Sequence, residues 1–388
     1  MIDFESKIRE IKRKDLLRFT KNFSNMDSPR AELDGKEILI FGSNDYLGLA
    51  NDERLKVAAI NEVYNDTIGS TGSRLTSGSR TVFSELERVI SEVKGTEASL
   101  IFNSGYMANL GVISAICDRE FEVFSDKYNH ASIVDGIILS RAKIIRYKHC
   151  CMDSLEKRLK ISNSKKKLIV TDGVFSMDGD IAPLRDIRFL SKKYNAMVMV
   201  DDAHGFGVLG KCGSGTCSYL GINDGIDIQI GTLSKAVGCV GGYASGSRQM
   251  IEYLKNISRS FVFSTSLPPS MIRASIESIN IIKTESERQQ KLMMLADYMR
   301  EKLINLGMDF GQSTITPIIP IMIGDENKAV SISKRLMDEY KIYMPAIRVP
   351  TVPKGKARLR ASLTANHNIE DIDYVINSIA DIWGSEIV

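Results

Sequence analysis

The chain has 388 residues, 43% of them hydrophobic and 26% charged, which is enough apolar material for two domains with sizeable cores and argues against disorder. The formal charge is only +3, with bases spread beside nearly as many acids, so nucleic acid is not an expected partner. The cysteines lack Cys-x-x-Cys spacing and the histidines do not gather around them. The N-terminus has no signal-peptide core, and no apolar run nears the roughly 20 residues that span a bilayer, so we expect a cytoplasmic protein without metal or membrane.

From the N-terminus, Phe4, Ile8, Ile11, Leu16 and Leu17 recur at helical spacing over residues 3 to about 20, an amphipathic arm ahead of a first strand at Glu37 to Phe41. Further strands are expected at Ala98 to Phe102, Lys143 to Tyr147, Leu168 to Thr171, Met197 to Val200 and Ile226 to Ile230, with helical patterns between many of them. This alternation predicts an α/β fold with a mostly parallel central sheet covered on both faces. Lys165-Lys166-Lys167 reads as a solvated turn, and the glycine-rich stretch 68–78, which lacks Walker and dinucleotide spacing, as a flexible substrate-facing loop. Beyond about residue 280 a charged helical pattern (Glu285 to Leu306), a strand at Pro317 to Ile323, another helix and a basic strand at Arg358 to Leu363 predict a smaller α+β domain. The expected division is an N-terminal arm over 1–40, a large domain over 41–280 and a small one over 281–388.

In open parallel sheets ligands gather outside the carboxyl ends of the strands, and the residues just past these runs are chemically distinctive. Lys235 is the only charged residue between Asp227 and Arg248. A lone ammonium among small and apolar residues suggests a sheltered amine of lowered pKa, suited to attack a carbonyl and hold a Schiff base with pyridoxal phosphate (PLP); a snorkelling lysine gives the same pattern. Asp201 ends an apolar run and could hold the cofactor's pyridine nitrogen, with His204 three residues on, although Asp201-Asp202 could equally cap the next segment or bind a metal. Asn103-Ser-Gly-Tyr106 sits at a strand-to-helix junction whose amides could cradle a phosphate, with Thr232 in reach of the same group. His130 opens a helical pattern, as a cap, a core residue or a site residue. Arg358 and Arg360 share one face of a strand, either at the surface or turned inward to hold a carboxylate.

Together, Ser43-Asn-Asp-Tyr-Leu-Gly-Leu49, Gly69-Ser-Thr-Gly-Ser-Arg74, Asn129-His-Ala-Ser132, Gly173-Val-Phe-Ser-Met-Asp-Gly-Asp180, Val200-Asp-Asp-Ala-His-Gly205, Thr232-Leu-Ser-Lys235 and Phe263-Ser-Thr-Ser-Leu-Pro-Pro269, in this order over nearly the whole chain, resemble the α-oxoamine synthase family of fold-type I PLP enzymes. The resemblance implies catalytic roles for Lys235, which would form the imine with PLP, for Asp201 beneath the ring nitrogen, for His204 on the ring hydroxyl and for His130 stacked on the ring. It places Ser176 near the ring hydroxyl, and Gly105, Tyr106 and Thr232 on the phosphate, joined by Thr265 from the partner of a homodimer with shared active sites. It assigns the amino-acid carboxylate to Asn44 and Arg360, and to Arg18 by its distance from Asn44.

Within the family, Ala346-Ile-Arg-Val-Pro-Thr-Val-Pro-Lys-Gly-Lys-Ala-Arg-Leu-Arg360 is most similar to the biotin-pathway branch, with Val349 where a second proline is usual. The implied reaction is a PLP-dependent decarboxylative condensation of L-alanine with a pimeloyl thioester, carried on coenzyme A or acyl carrier protein, that yields 8-amino-7-oxononanoate. Glycine C-acetyltransferase, serine palmitoyltransferase, a fold-type I aminotransferase and a non-catalytic binding protein are the rival readings.

Overall fold

The computed structural model describes residues 2–13, 17, 19–222 and 224–385. Its centre is a seven-stranded sheet of β4 (Ala98–Phe102), β5 (Phe121–Asp126), β6 (Lys143–Tyr147), β7 (Lys166–Asp172), β8 (Met197–Asp201), β9 (Ile228–Thr232) and β10 (Gly242–Gly246), in the order β4-β10-β9-β8-β7-β5-β6. Neighbours from β9 to β6 run parallel; β10 is antiparallel to both β4 and β9. The central runs, such as Leu168, Ile169 and Val170 or Val198, Met199 and Val200, are completely buried, as strands covered by helices on both faces must be.

The strands expected from sequence are present, with ends displaced by up to two residues; in the central sheet β5 and β10 are additional. Gly-Tyr-Ala-Ser-Gly carries little strand preference, and β10 exists because tertiary pairing overrides it. Lys165 to Lys167 is not simply a turn: Lys166 and Lys167 open β7, and Lys166 pairs with Asp118 and Glu120.

The N-terminal expectation needs correction. The helix covers only Phe4–Arg13 and buries nothing; Leu17 is outside it, and Leu16 lies outside the described residues. Two strands, β1 (Ser24–Asp27) and β2 (Arg30–Leu33), precede β3 (Lys36–Ile40), which was expected to be first. These three form an antiparallel ribbon, and β12 (Ile342–Tyr343) adds in parallel to β3, tying the start of the chain to its last part. A third sheet joins β11 (Ile318–Gly324), β14 (Ala357–Ser362) and β13 (Ala346–Ile347). Its core residues Ile319, Leu359 and Ala361 belong to the same apolar cluster as Phe41, Leu47 and Phe83. That continuity seats β14 close to the central sheet.

The glycine-rich stretch is anchored rather than loose. Gly72 O accepts from Ser266 N at 2.9 Å, Ser73 bridges to Thr265, and Arg74 forms a nearly buried pair with Glu87 at 3.0 Å. Among the described residues no helix is long and apolar enough to cross a membrane.

Candidate active site

The carboxyl ends of β7, β8 and β9 bring Asp172, Asp201 and Thr232 onto one edge, with Asp172 and Asp201 as register partners. Asp201 is buried; its Oδ2 accepts from Asn109 Nδ2 at 2.6 Å and its Oδ1 from Ala203 N at 3.0 Å. It forms no ion pair among the described residues. Its neighbour Asp202 is structural instead, held by Lys94 at 2.7 Å and by the Thr216 amide at 3.1 Å. The sequence alternatives for this dipeptide thus divide: Asp202 braces the next segment and Asp201 is left for the site.

Lys235 follows β9 in a turn fixed by Ser234 N to Thr232 Oγ1 at 3.2 Å and Gly238 N to Lys235 O at 2.8 Å. Its Nζ lies 2.8 Å from His204 Nε2. Burial pushes the amine's pKa down to about 8, with Arg360 adding to the fall and the Asp201 and Asp172 carboxylates resisting it. His204 is buried, and its other nitrogen lies 2.6 Å from the Tyr46 hydroxyl. Burial, and then the charges of Lys235 and Arg360, hold the imidazole well below its usual pKa, so it is neutral.

His130 caps the helix Ala131–Ser140 by accepting from Ser132 N, so the cap reading and proximity to the site are both true. Its own amide donates to Asp172 Oδ2 at 2.9 Å, and its Nδ1 contacts Ser132 Oγ at 2.8 Å. Ser132 Oγ accepts from Asn109 Nδ2 at 2.9 Å, which links His130 to Asp201 through two side chains. Burial lowers the pKa of His130, with Asp201 opposing.

Gly105 is the first residue of the helix Gly105–Ile116, capped by Ser104 Oγ, which accepts from Met107 N at 3.1 Å. The approach of β10 is close: a Cβ on Gly242 would lie 2.5 Å from Gly105 N, and one on Gly105 would lie 3.3 Å from Thr232 Cβ. Thr232 Oγ1 bonds Gly241 O at 2.8 Å. Helix start, threonine hydroxyl and two glycines therefore meet at one point, the geometry of an anion cradle. Tyr106, in the first turn, is exposed and bonds Asp135. Thr265 is exposed, its carbonyl held by Asn103 Nδ2 at 2.6 Å.

Arg360 on β14 is buried, donating to Ser176 O and Ser362 Oγ at 2.6 Å each and to Asn44 Oδ1 at 3.2 Å, with no ion pair among the described residues. Arg358 on the same face is instead paired with Asp178. The two arginines that look alike in sequence thus separate into one neutralised and one open guanidinium. Arg18 lies outside the described residues.

Sequence reasoning gave no role to Tyr46 and Asn109, singled out Asp172 only for its place just past a strand, and missed one cluster beside the set. His149 Nδ1 lies 3.0 Å from Asp126 Oδ1 and its Nε2 lies 2.8 Å from Asp180 Oδ2, with Cys150 adjacent. One histidine and the cysteine that follows it in sequence thus share a site with an aspartate. Burial lowers the pKa of His149, but the two carboxylates more than offset it and carry it up to about 12, which makes an imidazolium clamp with both nitrogens engaged.

PLP needs an amine able to attack its carbonyl carbon, an anion for its ring nitrogen and a cradle for its phosphate. The buried Asp201 carboxylate without a counter-ion, the Lys235 amine and the glycine-lined helix start meet these needs, so the residues fit the group.

The chain resembles known proteins over nearly its whole length. Residues 36–379 match the model of the family described as aminotransferase class I and II. An 8-amino-7-oxononanoate synthase of Thermoanaerobacter pseudethanolicus is 46% identical over 384 residues, covering 98% of this chain and 97% of that protein. A serine palmitoyltransferase from S. paucimobilis with bound PLP superposes with a TM-score of 0.94 at 30% identity, covering all of both chains. An 8-amino-7-oxononanoate synthase from Francisella tularensis gives 0.79 at 29%, covering 90% of this chain and 99% of the other.

Proposed function

The chain belongs to the class I and II aminotransferase family and to its α-oxoamine synthase branch, and from that premise we propose that it condenses L-alanine with a pimeloyl thioester, releasing carbon dioxide and the thiol, to make 8-amino-7-oxononanoate with PLP as cofactor. The observation that carries this reading is the coexistence of three groups in one hydrogen-bonded and electrostatically linked set: the Lys235 amine of lowered pKa, a buried Asp201 without a cation and a buried Arg360 without a carboxylate. The two 8-amino-7-oxononanoate synthases named above support the choice of product over that of the serine palmitoyltransferase.

When bound, PLP supplies an electrophilic carbonyl carbon and a ring that withdraws electrons. Lys235 would hold that carbon, Asp201 would keep the ring nitrogen protonated, and Gly105, Tyr106 and Thr232 would hold the phosphate. His130 would lie over the ring, with His204 and Ser176 on the side of its hydroxyl. Arg360, with Asn44, supplies donors for the alanine carboxylate, and its buried, planar fork favours a bidentate grip. Near pH 8 a large fraction of the Lys235 amine is neutral, so Nζ can take the proton from the alanine Cα and later return one to the product. His204, neutral and hydrogen-bonded to both Lys235 and Tyr46, keeps Nζ in place without adding charge.

A cytoplasmic homodimer belongs to the same reading, with Thr265 serving the phosphate of the partner subunit. Its support is that Phe263 and Leu75, flanking the Ser73 to Thr265 bridge, stand 72% and 56% exposed. The acyl carrier is coenzyme A or acyl carrier protein.

The test offers the purified protein alanine or glycine, each with acetyl, palmitoyl and pimeloyl thioesters, and weighs the product. Product mass for 8-amino-7-oxononanoate from alanine and the pimeloyl donor supports the proposal. Thiol release only from glycine and acetyl-CoA, or only from a long-chain donor, would overturn it.

A further inference from the structure

We propose that Tyr46 is a positioning residue of this reaction: its hydroxyl couples the tautomer of His204, and through it the hydrogen bond on Lys235, to Asn44 and Arg360. The inference rests on the reading of Lys235 and Arg360 given above.

Tyr46 is completely buried, and its hydroxyl lies 2.6 Å from His204 Nδ1 and 3.2 Å from Asn44 Oδ1. Asn44 Oδ1 also accepts from Arg360 Nη2 at 3.2 Å, and His204 Nε2 lies 2.8 Å from Lys235 Nζ. One unbroken row of contacts thus joins the amine to the guanidinium, across segments that are distant in sequence.

Proton counting gives the row a direction. A Lys235 ammonium has only donors, so Nε2 of the neutral ring must accept and the imidazole proton sits on Nδ1. That proton goes to the Tyr46 oxygen, and the single phenol proton goes to Asn44, which then accepts from both ends. Once Lys235 is uncharged it has a lone pair, and every step can reverse: Nε2–H donates, Nδ1 accepts the phenol proton, and Asn44 is left to Arg360 alone. A hydroxyl that both donates and accepts is what permits this reversal, and phenylalanine at this position cannot perform it. The charge on the amine and the acceptor capacity of Asn44 beside Arg360 are therefore linked through Tyr46.

The other groups acting on the row are ionisable ones. Lys235, Arg360 and His130 act on the His204 ring, and Asp201, Asp172 and Arg360 act on the Lys235 amine. Their fields persist in a Tyr46→Phe protein, so a change there reports the hydroxyl.

The test is 15N NMR of histidine-labelled, cofactor-free protein, with the His204 signals assigned through His204→Asn. In the wild type the ring passes from the Nδ1–H to the Nε2–H form as pH rises through about 8. In Tyr46→Phe that midpoint falls by about one pH unit or the step disappears, while unchanged His149 and His367 signals confirm the fold. Incorporation of 3-fluorotyrosine at position 46 restores the step, because it keeps a hydroxyl. With cofactor present, Tyr46→Phe lowers kcat/KM for alanine about tenfold and leaves KM for the thioester unchanged.

An unchanged midpoint in Tyr46→Phe, or no recovery with 3-fluorotyrosine, overturns the inference. Because the titration needs neither substrate nor cofactor, it decides the matter even if the wild type were inactive with every acyl donor, a result that would sink the functional reading alone.

Discussion

Asp172 and Asp201 end neighbouring parallel strands in register, yet they live under different electrostatics. Asp172 is buried, and that burial together with the Asp201 charge lifts its pKa well above the ordinary carboxylate value, toward the protonated form. Its Oδ2 accepts the His130 amide, which a neutral carboxamide does equally well.

Asp172→Asn is therefore expected to keep the fold and most of the activity, whereas Asp201→Asn would remove the anion proposed for the ring nitrogen and is expected to lower kcat by about 10² or more. The sign for stability follows from linkage. With the folded pKa raised, the wild type loses stability as pH rises above the unfolded value near 3.8, and the Asn variant does not. Urea unfolding of cofactor-free protein at pH 5 and pH 8 should show the variant gaining on the wild type at the higher pH.

Lys235→Ala should abolish turnover, and borohydride reduction of the loaded wild type should fix the label on the peptide carrying residue 235. The amine's pKa of about 8 is depressed from 10.5, so between these values the unfolded chain binds the extra proton and stability rises with pH. Cofactor-free Lys235→Met is consequently more stable than the wild type at pH 7, with an advantage that shrinks toward pH 10.5. A melting series over that range checks it.

Arg358 and Arg360 should fail differently when changed. Arg360→Lys loses the planar fork and raises KM for alanine about 10²-fold, corresponding to roughly 2 to 3 kcal/mol for hydrogen bonds to a charged partner. Arg358→Gln leaves Asp178 without its partner, so it lowers stability, by about 3 kcal/mol, more than it alters KM. Steady-state kinetics and urea unfolding of both variants separate the two effects.

The His149 clamp should be visible as a stability term. Its pKa is raised to about 12, so its contribution is complete below the unfolded value near 6.5 and declines as pH rises through the folded one. His149→Gln is expected to cost about 2 to 4 kcal/mol near pH 6, with the difference from the wild type narrowing on the alkaline side. Denaturant unfolding at several pH values measures this.

Lys235, Asp201 and His204 were legible in sequence because each breaks a local rule, a charge or polar group set at the end of an apolar run. His130 and Gly105 could be located but not explained, since a helix start looks the same whether or not it faces a ligand. Asn109 gave no signal, and Tyr46 stood inside a family motif without a role of its own. A buried tyrosine and a mid-helix asparagine are ordinary in composition, and only the folded chain shows Asn109 bonded to Asp201 and Tyr46 to His204. Arg358 and Arg360 were indistinguishable because their difference lies in Asp178 and Asn44, which reach them from distant parts of the chain. In the fold, β10 escaped notice because two glycines and a serine in five residues mask a strand that its neighbours impose.

The edge strand β4 has β10 as its sheet neighbour, and β10 ends only at Gly246. On the ribosome, then, the segment leading into Gly105 emerges long before the strand that will cover it. The anion cradle is closed by a late arrival, so nascent chains halted anywhere before Gly242 would carry β4 with a bare edge and a cradle that lacks its last wall.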